Sequence, residues 1–115
     1  MGQNRNKLID LFIGNIANAV VHKILEEAVE DEAIRKYYDK ELLNSLKVAK
    51  IYREKINPAK EPLPEKDVTD IKSKVMSKAT NELKLRISKG YNNINIDSVE
   101  DITKNVLIDM EIMSD

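Results

Sequence analysis

The chain has no cysteine and no tryptophan, only one phenylalanine, three glycines and three prolines, and a single histidine, His22, among its 115 residues. Without cysteine there can be no disulfide, thiolate metal site or thiol nucleophile, and a reducing cytoplasm is the expected compartment. Three unclustered glycines cannot build the phosphate-cradling loops of the Walker or dinucleotide type. β-Branched alternation is nearly missing, so strands are not expected. Long hydrophobic runs are scarce as well. The apolar segment that starts at Leu8 is interrupted by Asp10, Asn15, Asn18, His22 and Lys23, which argues against a membrane span or a cleavable signal peptide.

What remains is helical. Charged residues make up 34% and apolar residues 42% of the chain, enough for one soluble domain with one core. Helical periodicity predicts an all-α, four-helix bundle made of two helical hairpins, with helices at about 6–36, 40–57, 64–89 and 98–113. Asp39 can cap the second helix, with Tyr38 and Leu43 as a hydrophobic staple; one continuous helix through residues 30–40 is the alternative. Leu42, Leu46, Ala49 and Ile56 form that helix's apolar face, flanked by Leu43 and Tyr52. Pro58, Pro62 and Pro64 then mark a linker between the hairpins. The third helix carries the stripe Val68, Ile71, Val75, Ala79, Leu83 and Ile87, and Gly90 fits its stop. Ser98 with Asp101 resembles a capping box for the fourth helix.

Successive helical residues rotate by about 100°, so Asn15, Asn18, His22 and Glu26 share one polar edge of the first helix. A zinc site needs three or four suitable ligands, and here the helix offers only His22 and Glu26. General acid–base work by His22 needs an orienting partner and a reacting group that no spacing in the sequence supplies. The edge therefore reads as a solvated border or a polar seam that fixes helix register. The acidic run "EEAVEDE" from Glu26 to Glu32 lacks the glycine and alternating oxygen ligands of a calcium loop and reads as a solvated helix end. No catalytic residue, metal or cofactor is expected.

Charge is unevenly spread: net −2 over residues 1–44, +6 over 45–90 and −5 over 91–115. Lys47, Lys50, Arg53, Lys74, Lys78 and Lys89 are the candidate phosphate contacts of a nucleic-acid-associated regulator. Near-zero overall charge, no aromatic in the third helix and lysines spread around its circumference weigh against that reading. Pairing of the acidic fourth helix with the basic third accounts for the same charges.

The first helix is apolar on most of its circumference. Thirteen of the twenty-one residues from Leu8 to Ala28 are apolar, more than a bundle helix with three short partners is expected to cover. Self-association would bury the excess, with Ile13, Ile16, Val20, Val21 and Ile24 as the expected interface. The sequence thus points to a small non-catalytic interaction or assembly module, a homodimer with a protein partner in prospect. A nucleic-acid-associated regulator is the alternative, and an enzyme using His22 stands third.

Overall fold

The computed structural model describes residues 5–56 and 63–113. Four helices follow one another: α1 over Arg5–Ala28, α2 over Glu32–Ile56, α3 over Glu65–Ser88 and α4 over Val99–Asp109, the last preceded by a 3-10 turn at Ile96–Ser98. Among the described residues there is no strand. The all-α bundle read from periodicity is what the chain forms. Pro58 and Pro62 of the expected linker lie outside the described residues, and Pro64 directly precedes α3.

The first boundary differs from expectation. α1 stops at Ala28 and α2 starts at Glu32, so the helices meet neither near residues 36–40 nor as one continuous rod. No glycine or proline breaks the chain there; charge and capping do. α1 has no basic residue in its last turn, and Glu26, Glu27 and Glu30 oppose the negative end of its dipole. Moved three residues on, the same kind of charge is favourable, because Asp31 and Glu32 sit at the positive start of α2. Asp31 caps that start: its carbonyl accepts the Arg35 N–H at 2.9 Å and its carboxylate accepts the Ile34 N–H at 3.0 Å. Arg35 then reaches back, donating to the Val29 carbonyl at 2.7 Å. Tyr38 and Asp39 consequently lie inside α2, with Tyr38 buried and no cap at Asp39.

α1 is the hub. α2 packs back along it after a three-residue connection, α3 and α4 also pack on it, and α3 pairs with α4. Phe12, Ile13, Ile16, Ala19, Val20, Ile24 and Leu25 of α1 are essentially without solvent contact. All of these but Ala19 join one core cluster with Tyr38, Ala49 and Ile56 of α2, Ile71, Val75, Ala79 and Leu83 of α3, and Val99 and Leu107 of α4. α1 is long and apolar enough to cross a membrane by length and composition alone, but 61% of its most apolar stretch is buried against its own chain. Thr103 of α4 is also buried, and its hydroxyl has no partner.

Helix ends on the α3–α4 side follow local rules. Gly90, at φ +100°, closes α3 in a Schellman turn, with Tyr91 N–H on the Arg86 carbonyl at 3.1 Å and Gly90 N–H on that of Ile87 at 3.0 Å. The same turn ends α4 without a glycine: Ile112 N–H meets the Leu107 carbonyl at 2.9 Å and Glu111 takes φ +61°. α4 is thus shorter than the 98–113 expected. Ser98 forms no side-chain cap; its hydroxyl donates to the Asn95 carbonyl at 2.7 Å and closes the 3-10 turn instead. Across the α3–α4 pair, Lys72 meets Glu100 at 3.3 Å, a half-exposed example of the expected basic-to-acidic pairing.

Candidate functional site

Five residues expected at a dimer interface have no surface to offer. Ile13, Ile16, Val20, Val21 and Ile24 are at most 4% exposed, each covered by the chain's own helices. The expectation failed on helix length. With the boundary at residues 29–31, α2 is 25 residues instead of the 40–57 expected, long enough to run along α1, and α3 and α4 cover its other sides.

The polar edge of α1 divides in two. Asn15, Asn18 and His22 face α3 across a surface groove of about 450 Å³, opposite Lys78, Glu82 and Arg86. Glu26 borders a separate depression of about 460 Å³ beside Glu30, Glu32 and Arg35. Two of the four polar side chains on this edge bond to their own helix. Asn15 Nδ2 donates to the Leu11 carbonyl at 2.9 Å, and His22 Nδ1 lies 2.8 Å from the Asn18 carbonyl, which fixes the proton on Nδ1. One oxygen of Glu26 is buried without a partner. Among the described residues no group of three or more His, Asp or Glu is placed to hold a metal ion.

The histidine belongs to an aromatic corner that sequence spacing did not bring together. His22 lies 5.8 Å from the Tyr38 ring, Tyr38 lies 5.9 Å from Tyr37, and the Arg86 guanidinium covers the Tyr91 ring at 5.5 Å. Arg86 is held in place by Glu82 at 3.1 Å. Burial, then the neighbouring Tyr91 and the hydrogen bond the two phenols share, push the Tyr38 phenol above its ordinary value of 10.0, with Arg86 opposing. This corner joins three elements, α1, α2 and the end of α3, and keeps its phenol neutral.

The candidate phosphate contacts scatter. Lys47 and Lys50 are exposed on α2, Lys74 and Lys78 on α3 and Lys89 just beyond its end, and Lys74 is engaged by Asp70 at 3.2 Å. Arg53 is not a surface group at all. Only 6% exposed, it donates from Nε to the Met110 carbonyl at 3.2 Å and from Nη2 to the Glu111 carbonyl at 3.3 Å. A guanidinium at the negative end of α4 satisfies carbonyls that the helix leaves open and ties α2 to that end.

The surface feature that stands out is apolar. Ile34, Tyr37, Val48 and Ile51 on α2 are 45%, 58%, 38% and 48% exposed. With Glu41 and Asn44 they fall at spacings of three and four, the seam positions of a heptad, on a flank turned away from the Tyr38–Leu42–Ala49–Ile56 face that packs on α1. α2 has extensive contact with α1 alone among the described helices, so no described helix covers this flank. Leu43, 58% exposed, lies off the line.

No protein-family model matches the chain, and neither a curated protein nor a solved structure matches it.

Proposed function

We propose that the protein is a small non-catalytic helical interaction module that acts as a homodimer, with the outer flank of α2 as its contact surface. The observation that carries this reading is the uncovered line Ile34, Tyr37, Val48 and Ile51. Two pairs of large apolar side chains left on one flank of a helix, separated only by two polar seam positions, suit docking of another surface, and a seam at heptad spacing suits a helix. α1 supplies the scaffold: the other three helices pack on it, and α2 lies along it with that flank turned away.

Light scattering on a size-exclusion column at tens of micromolar tests the reading. A dimer that Val48→Glu converts to a folded monomer supports it; a wild-type monomer across that range refutes self-association. Five of the lysines singled out for phosphate contact remain exposed, which favours keeping the regulator reading as a second arm of the same study. Titration of labelled duplex DNA and single-stranded RNA at moderate salt is expected to give no shift. A salt-sensitive shift lost on replacing Lys74 and Lys78 would make nucleic acid the partner.

A further inference from the structure

We infer that the second copy docks antiparallel on α2, about a two-fold axis passing between Leu42 and Leu43; this rests on the homodimer reading above. The seam reads Ile34, Tyr37, Glu41, Asn44, Val48, Ile51, with two apolar positions at each end and two polar ones in the middle. Reversed onto itself, the pattern matches. In an antiparallel pair of helices each first seam position faces a second seam position of the other copy. Ile34 then meets Ile51 of the second copy, Tyr37 meets Val48, and Glu41 meets Asn44, whose amide can donate to the carboxylate. Each contact occurs twice, as a two-fold interface requires.

Charge selects this direction over the other. Glu30 and Asp31 directly precede α2, Glu32 begins it, and Lys55 is the exposed basic residue at its end, Arg53 being turned inward onto the end of α4. Lys55 continues the seam, and the antiparallel register sets it against Glu30 of the second copy, so that acidic starts meet basic ends and helix dipoles oppose. In a parallel pair Glu41 would face Glu41 and Lys55 would face Lys55, like charges at two of seven seam positions. The antiparallel arrangement has one unfavourable contact, Lys40 beside Lys47 of the second copy, made twice by the two-fold axis on the solvent-exposed flanks of the seam, with Glu41 adjacent to offset it each time.

Because the chain has no cysteine, introduced thiols report contacts cleanly. The double variant Ile34→Cys/Ile51→Cys, oxidised at the concentration where the wild type is a dimer, is expected to run as a covalent dimer on non-reducing gels. Ile34→Cys alone is expected not to cross-link, since the two copies of that position sit about 25 Å apart at 1.5 Å per residue over the seventeen residues separating it from its facing position. Lys55→Glu should weaken self-association by about tenfold or more, and adding Glu30→Lys should recover most of the loss. Cross-linking through Ile34→Cys alone would establish a parallel pair and overturn the inference. A wild-type dimer in which neither variant cross-links would place the interface elsewhere and also overturn it, while leaving the homodimer standing. A wild-type monomer removes both. All the substituted positions are exposed in the single chain, and unchanged helical circular dichroism confirms that each variant is folded.

Discussion

α1 and α2 are nearly the same length, 24 and 25 residues, and lie side by side, yet they face opposite conditions. α1 is covered from several sides and keeps ten buried residues. α2 buries five, one of them an arginine, and leaves four large apolar side chains of its flank in solvent. Apolar content along a sequence therefore says little about which helix keeps an exposed apolar flank. α1 holds the richer apolar segment and buries it inside the chain, while the poorer helix leaves large apolar side chains in solvent.

The contrast is broken most severely inside α1. Phe12, fully buried at the centre of the bundle, should cost about 3–5 kcal/mol on truncation in Phe12→Ala, read as a lower urea midpoint. Next comes the tie between α2 and the end of α4. Arg53→Met keeps the aliphatic bulk and removes both bonds to the Met110 and Glu111 carbonyls, and should cost about 2 kcal/mol. Hydrogen exchange should then show α4 opening ahead of α1. The boundary between the two long helices is weaker: Asp31→Ala removes the cap on Ile34 N–H and should cost about 1 kcal/mol, with faster exchange confined to the first turn of α2.

A smaller effect sharpens the comparison at the aromatic corner, where α1 and α2 meet through His22 and Tyr38. The Tyr38 phenol ionises above its ordinary value in the folded chain, so the folded state holds that proton more tightly than the unfolded one. The resulting stability is complete below pH 10 and declines as pH rises through the folded value. Thermal midpoints followed from about pH 9 to 11 should fall, and Tyr38→Phe should flatten that decline.

Much of this architecture can be read from residue order. Pro64 directly before α3, Gly90 as the stop of α3, and the stripe of Ile71, Val75, Ala79 and Leu83 follow from backbone chemistry and period, although Ile87 at the end of that stripe is 42% exposed. The α1–α2 boundary was hidden because two aspartates, Asp31 and Asp39, both precede apolar periodic residues. The acidic run Glu26–Glu32 held the missing signal, being unfavourable at a helix end and favourable at a helix start. That one boundary also concealed the proposed contact surface. A break near residues 36–40 cuts the seam between Tyr37 and Glu41, so Ile34 and Tyr37 never line up with Val48 and Ile51. Arg53 was misread as surface charge by residue type, although its helical position places it beside Ala49 and Ile56, on the face that packs inward.

The most direct test places the same substitution on each helix. Val20→Glu and Val48→Glu are compared by circular dichroism melting and sedimentation equilibrium at equal concentration. Val20 has no solvent contact and Val48 is 38% exposed, so Val20→Glu should unfold the chain. Val48→Glu should leave its melting within the small range typical of surface changes, while halving the mass seen in sedimentation. A folded monomer from Val20→Glu, or a Val48→Glu variant that remains as dimeric as the wild type, would contradict the assignment of α1 to the core and α2 to the interface.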